Sequence, residues 1–168
     1  MDLNKFTEKS QAALMEAQAI ATRNHHQAVD VEHLAMALLE QEDGLVPRLF
    51  EKTGVSADLL RERVQEALDH IPRVSGDTMT GQGLYLTQRL NKLLVTAQDE
   101  AKKLKDEYVS VEHLVLAMFD EPATTGIGKI FKTLNIRREI FLKALTEVRG
   151  NHRVTSANPE ATYEALEK

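Results

Sequence analysis

Apolar residues recur every three to four positions along most of the chain, which is the spacing of one face of a helix. One such stripe runs through residues 7–24, and a second of the same kind runs through residues 88–106. No segment shows the strict alternation of apolar and polar residues that is typical of a half-buried strand. The pattern therefore predicts an all-α protein.

The chain repeats itself at a distance of 80 positions. The hexapeptide VDVEHL at 29–34 returns as VSVEHL at 109–114. Carried without a gap through 7–41 and 87–121, the same displacement pairs 11 identical residues in 35 positions. Self-similarity over this length indicates two copies of one structural unit.

Each copy contains the signals for three more helices. The second helix begins after Asp30 or Ser110, which are both good N-caps. The third helix is predicted over about 45–53 and 126–134, and the fourth over about 56–70 and 137–149. Two pseudo-symmetric four-helix repeats are therefore expected.

The punctuation of the chain divides it into four parts. Residues 1–71 form the first repeat and residues 87–150 the second. The stretch 72–86 between them is rich in turn residues and is predicted to be a linker. Residues 151–168 begin polar, so a flexible linker is expected there, although a helical pattern resumes after Pro159.

Composition narrows the class of protein. The chain has 168 residues, 42% of them hydrophobic, which suits one compact domain that needs no disulfides. It contains no cysteine, and its net charge of −5 argues against a nucleic-acid partner. No apolar run approaches the length of about 18 residues that a membrane span needs. A cytoplasmic protein without a membrane partner is expected.

No motif in the chain predicts catalysis or a cofactor. The segment 126–129, GIGK, resembles half of a phosphate-binding loop, but Ala123 replaces the first glycine and Ile130 replaces the hydroxyl residue. None of the six histidines has the neighbouring ligands that a metal site requires. The prediction is therefore a binding domain with no catalytic, cofactor-binding or metal-binding residues.

Two four-helix repeats with the signature Val-x-x-Glu-His-Leu resemble the Clp N-terminal domain. The tail, VTSANPEATYEALEK at 154–168, is similar to the join between this domain and the first ATPase module of ClpB-type disaggregases. The resemblance implies a stress-response chaperone domain that passes unfolded or aggregated polypeptides to a homohexameric ATPase. ATP and Mg, a coiled coil and an Hsp70-type chaperone system as partner are implied for the full-length protein only.

The resemblance assigns substrate contact to three polar positions that match the family's pattern, Thr7, Asp106 and Glu112. Structural roles remain open for two of them, because Thr7 suits a first helical turn and Glu112 gains stability from a helix dipole. Asp106 is expected to end a helix, where a carboxylate is slightly unfavourable. Its replacement by alanine is therefore expected to spare the fold and to weaken substrate capture.

One apolar feature does not fit the core stripe of the helix at 88–106. Leu93 lies at the edge of the stripe and Val95 lies roughly opposite to it. If contact between the repeats leaves them exposed, they are candidates for a substrate-facing patch. Leu93 is the stronger candidate.

Two other functions remain open at this point. The same repeats suit the adaptor-docking domain of a Clp unfoldase that works with a protease. A self-contained helical enzyme would instead need a saturable ligand pocket.

Overall fold

The computed structural model describes residues 2–74, 84–150 and 152–160. Most of the predicted inter-repeat linker, at 75–83, and the helical pattern at 161–168 therefore lie outside the described residues. Within the described ranges the chain is helical, and the all-α fold is confirmed.

The helices of the two repeats correspond one to one. After a short 3-10 helix at Leu3–Lys5, the first repeat contains α1 (Glu8–Arg23), α2 (Val31–Leu39), α3 (Leu45–Lys52) and α4 (Ala57–Asp69). The second repeat contains α5 (Gln88–Lys103), α6 (Val111–Met118), α7 (Gly126–Thr133) and α8 (Arg138–Arg149). The predicted pair of four-helix repeats is confirmed.

Matching caps begin the first two helices of each repeat. Thr7 and Thr87 cap α1 and α5, each with a side-chain oxygen that accepts an amide hydrogen bond three residues on. α2 and α6 open with reciprocal capping boxes, in which His33 and His113 stand at the third helical position. Because each cap satisfies amides that lack a helical partner, the same local sequence sets the same helix starts twice.

Two very short β-pairings join the repeats, where the sequence pattern predicted no strands. β1 (Ala28–Val29) pairs in parallel with β2 (Tyr85–Leu86), and Phe6 forms a parallel bridge with Val109. Each pairing links the entry to the first helix of one repeat with the entry to the second helix of the other. Two residues are too few to show an alternating pattern, so only the contact between the repeats creates these strands.

The two repeats share one hydrophobic core. α1 packs on α2 and α5 packs on α6, but the third helices cross over: α3 packs against α6 and α8, and α7 packs against α2 and α4. Phe50 of the first repeat stacks on Phe131 and Phe141 of the second, with ring centroids 6.1 and 5.3 Å apart. The repeats are therefore interlocked.

Residues 152–160, which belong to the stretch predicted to be a flexible linker, have defined contacts with the helical body. Residues 152–160 lie against the helical body, with Val154 and Pro159 buried. Two main-chain hydrogen bonds attach them, from the Glu107 amide to the Val154 carbonyl and from the Glu8 amide to the Ala157 carbonyl, each 2.8 Å long. Buried apolar area and these bonds offset the entropy that ordering costs.

Candidate functional site

Two of the three polar residues taken from the resemblance, Thr7 and Glu112, meet near the N-terminus of α6, and Asp106 lies close by. The Thr7 amide donates to the Val109 carbonyl at 3.0 Å, and the Val109 amide donates to the Lys5 carbonyl at 2.8 Å. The start of α1 is thereby tied to the turn that precedes α6. Thr7 is fully buried at this junction.

Asp106 is the centre of a buried network. Its carboxylate accepts hydrogen bonds from His113 Nε2 at 2.7 Å, from Arg149 Nη2 at 2.6 Å and from the Val154 amide at 2.9 Å. Burial alone would raise the pKa of Asp106, but the bonds from His113, Arg149 and Val154 outweigh it and hold the pKa at about 2. The residue is therefore ionised and fully engaged inside the protein.

The expectation that Asp106 ends a helix is wrong. α5 ends at Lys103, and Asp106 lies beyond it in the turn, next to Lys105 with its positive φ. The helix dipole therefore has no part in its energetics. A buried carboxylate with several donors stabilises the fold, so alanine at this position is expected to destabilise it.

Glu112 and Glu160 form a buried acidic pair at the same junction between the starts of α1 and α6. Glu112 accepts from Arg149 Nη1 at 3.4 Å. Glu160 Oε2 accepts from Thr7 Oγ1 at 2.6 Å and from the Val111 amide at 3.2 Å. The Oε1 atom of each residue has no hydrogen-bond partner within the described part of the chain. Burial first, and then the charge of Glu112, raise the pKa of Glu160 to about 7.

At the equivalent junction in the first repeat, three carboxylates share one arginine. Arg89 on α5 donates to Asp30 at 2.9 Å, to Glu32 at 2.9 Å and to Glu121. Glu32, the counterpart of Glu112, also accepts the Ile127 amide at 2.9 Å. Four buried or half-buried charges here satisfy one another, because Arg89 presents a planar fork of donors.

The histidines of the repeated signature are structural in the described part of the chain. His33 and His113 each accept the amide of their own N-cap on Nδ1, at 2.9 and 2.8 Å, so in the neutral ring the proton is on Nε2. His33 donates it to His26 Nδ1 at 2.8 Å, and His113 donates it to Asp106. Burial, followed by the nearby His26, lowers the pKa of His33 to about 4. These partners lie seven positions upstream, a spacing that the sequence analysis missed.

The segment 126–129 has a packing reason for its glycines. A Cβ atom at Gly126 would lie 2.8 Å from Glu32 Oε2, and one at Gly128 would lie 2.0 Å from the Pro122 carbonyl oxygen. The Glu32 carboxylate already fills the N-terminus of α7, which is where a phosphate would bind. Gly126 therefore serves the contact between the repeats, and Gly128 allows the close approach of the turn that precedes α7.

The two apolar candidates on α5 are separated by burial. Leu93 lies in the core with 3% of its surface exposed. Val95 is 54% exposed. A buried side chain cannot contact a partner without rearrangement. Of these two residues, only Val95 therefore presents an apolar surface.

Within residues 2–74, 84–150 and 152–160, no cluster of three or more His, Cys, Asp or Glu side chains could hold a metal ion. Among the helices described there, none is long and apolar enough to cross a membrane.

Comparison with known proteins gives consistent matches. The family model "Clp repeat (R) N-terminal domain" matches residues 5–134. The chaperone protein ClpB of Nitratidesulfovibrio vulgaris is 52% identical over 168 residues, which are 100% of this chain and 19% of that protein. The ClpB of Bacillus cereus is 48% identical with the same coverage. The chain thus spans about a fifth of the length of these curated relatives.

Solved structures share the fold at low sequence identity. The N-terminal domain of Hsp104 from Candida albicans matches with a TM-score of 0.79 and 18% identity, over 93% of this chain and 99% of that one. A ClpV N-domain in complex with a VipB peptide matches with a TM-score of 0.67 and 20% identity, over 86% of each chain.

Proposed function

Because the chain belongs to the Clp repeat N-terminal domain family, we propose that it recruits unfolded or aggregated polypeptides for an ATP-dependent protein disaggregase. The resemblance to the N-domain of ClpB-type chaperones, predicted from the repeat and the tail, is confirmed by the family model and the ClpB relatives. The substrate of the domain is the proposal.

One observation carries the proposal: the domain holds a non-helical polypeptide segment in a groove. Residues 152–160 bind between the start of α1 and the start of α6 through main-chain hydrogen bonds to Glu8 and Glu107. Two small apolar side chains of the segment, Val154 and Pro159, are buried. Main-chain bonds can be offered by any sequence, and two small apolar anchors are a weak demand.

This mode of binding suits a recruitment domain. Misfolding exposes apolar segments of many different sequences, so the receptor must be tolerant and its affinity for each segment modest. The ClpV N-domain matched above was solved with a peptide, which supports peptide binding by this fold. We therefore propose that Thr7, Asp106 and Glu112 serve substrate binding by building this groove.

The other parts of the proposal concern the longer protein. We propose that ATP and Mg bind to an ATPase module of that protein, which forms a homohexamer and works with an Hsp70-type partner. We propose the cytoplasm as its compartment. The present chain is proposed to perform no catalysis. The alternative is a domain that docks one specific adaptor, as the bound VipB peptide illustrates for a ClpV N-domain.

A titration followed by NMR tests the proposed function. The 168-residue chain is mixed with a permanently unfolded protein, reduced and alkylated, and separately with the same protein in its folded form. We expect amide shifts around Glu8, Glu107 and Val111 with the unfolded form and none with the folded form. Shifts with neither form would contradict the proposal, and tight binding of one folded partner would favour the adaptor-docking alternative.

A further inference from the structure

In the first repeat, one carboxylate oxygen completes the junction between α2 and the start of α5. Asp30 Oδ1 accepts the Val31 amide at 2.8 Å, at the first turn of α2. The same oxygen accepts the hydroxyl of Thr87, the N-cap of α5, at 2.7 Å. Asp30 is the N-cap of α2, so the helix supplies this acceptor from its own sequence.

The second repeat has the same two donors but no aspartate beside them. The equivalent amide belongs to Val111 and the equivalent hydroxyl to Thr7, while the N-cap is Ser110. The Ser110 hydroxyl lies 3.1 Å from His113 Nδ1, inside the capping box. Both donors bond instead to Glu160 Oε2, at 3.2 and 2.6 Å. Glu160 therefore performs, from 49 positions away, what Asp30 performs within α2.

We infer that the groove between the starts of α1 and α6 is a binding site for a carboxyl-bearing polypeptide segment, and that residues 152–160 occupy it as an internal ligand which a client must displace. The part about clients rests on the proposed function. The segment has two anchors, the buried Val154 side chain and the Glu160 carboxyl group six residues later. A client with an aliphatic residue and an acidic residue at this spacing fits the site best.

The Glu160 anchor is poorly compensated, which suits a ligand that detaches. Its Oε1 atom has no partner among the described residues, and neither has that of the neighbouring Glu112. In the first repeat, the equivalent carboxylates of Asp30 and Glu32 both bond to Arg89, which presents a planar fork of donors. An unsatisfied buried carboxyl oxygen costs stability, and release to water removes that cost.

Several charged groups of the described residues lie near Glu160. Glu112 faces it from α6, and Arg149 from α8 reaches Glu112. Asp106 and His113 bond to each other in the adjoining network, and the exposed Glu8 belongs to the first turn of α1. Burial and the charge of Glu112 raise the pKa of Glu160 in this setting.

The test uses two variants of the full chain that act on the site from opposite sides. Glu160→Ala removes the carboxyl group from the segment. Ser110→Asp supplies a carboxylate to α6 locally, as Asp30 does in the first repeat, and so displaces Glu160. Thr155→Asp is the matched control, because it adds a negative charge at an exposed position of the same segment.

The readout is hydrogen exchange at the Glu8 and Glu107 amides, which donate to the segment. We expect exchange there to accelerate by about tenfold or more in both variants, with core amides and Thr155→Asp unchanged. Unchanged exchange in both variants would overturn the inference. Core amides that stay slow in Glu160→Ala show that the fold is intact.

Affinity for the unfolded client separates the two proposals. We expect Glu160→Ala to bind it at least about threefold more tightly than the parent, because no internal ligand competes. If Glu160→Ala releases the segment but binds the client no more tightly than the parent does, the claim that clients displace the segment is wrong. If neither the parent nor any variant binds the client, the proposed function is contradicted. The hydrogen-exchange result alone then decides whether the segment docks in the groove.

Discussion

The histidine of the repeated signature has different partners in the two repeats, and the charge of each junction follows the partner. His33 is buried against His26, which lowers its pKa to about 4 and keeps it neutral near pH 7. His113 is buried against Asp106, whose carboxylate is ionised and also bound to Arg149. His26 occupies the position that corresponds to Asp106 in the second repeat. This one difference gives His33 a histidine partner and gives His113 a charged network.

We predict that Asp106→Ala destabilises the fold by about 3–5 kcal/mol at pH 7, because it leaves Arg149 buried without its main partner. Urea unfolding measures this loss. Asp99→Ala, which removes an exposed carboxylate from the same region, is the control and should cost less than about 0.5 kcal/mol.

The difference in the free energy of unfolding between the parent and Asp106→Ala should decrease as the pH falls. The pKa of Asp106 is lowered from 3.8 to about 2 in the folded chain, so its ionised form stabilises the fold above about pH 4. This contribution, about 2 kcal/mol, disappears as the pH falls from about 4 to about 2. A difference that stays constant over this interval would contradict the role of ionised Asp106.

At the scale of the elements, helix starts determine how the repeats are joined. The N-cap of α1 lies against the start of α6, and the N-cap of α5 lies against the start of α2. Each junction needs one acceptor for an amide and a hydroxyl. The first repeat takes it from its own N-cap, and the second takes it from the segment after α8.

We predict that this segment docks more strongly in mild acid. The pKa of Glu160 is raised from 4.5 to about 7 when it is docked, so docking takes up a proton between these values. Docking is strongest and constant below about pH 4.5, weakens as the pH rises to about 7, and stays weak above it. The total change is about 300-fold.

Hydrogen exchange at the Glu8 and Glu107 amides at pH 5 and pH 8, corrected for the intrinsic rates, measures this change. Glu160→Gln is the matched control, since an amide keeps the acceptor oxygen and cannot ionise. The variant should show equal protection at both values. Equal pH dependence in the parent and the variant would disprove the assignment to Glu160.

At the scale of the whole molecule, the exchange of third helices makes the two repeats one folding unit. α3 packs into the second repeat and α7 into the first, and Phe50 lies fully buried between rings of the other repeat. Neither repeat retains this packing alone. Interlocked cores of this size usually unfold in one cooperative transition.

We predict that Phe50→Ala lowers the free energy of unfolding by about 3–5 kcal/mol and does so equally for amides of both repeats. Native-state hydrogen exchange of α2 and α6 measures the two repeats separately. Met15→Ala, at a side chain that is 71% exposed, is the control and should change neither. A loss confined to α2 would show that the repeats unfold independently.

The sequence by itself determined the helices and their duplication. Residue spacing and caps are local, so the eight helices described here begin and end within a few residues of their predicted bounds. The hexapeptide repeat determined the pseudo-symmetry, because equal local sequences form equal local structures. The family followed from the same residues.

Only the tertiary structure decided which charged and polar side chains meet. Thr7 and Glu160 are separated by 153 positions, and Arg149 reaches Asp106 across 43. No periodic pattern records such pairs, since they depend on how packed helices bring distant turns together. Burial then sets their energies: it makes Asp106 a structural anion, places Leu93 in the core, and turns Glu160 into an acid with a pKa of about 7.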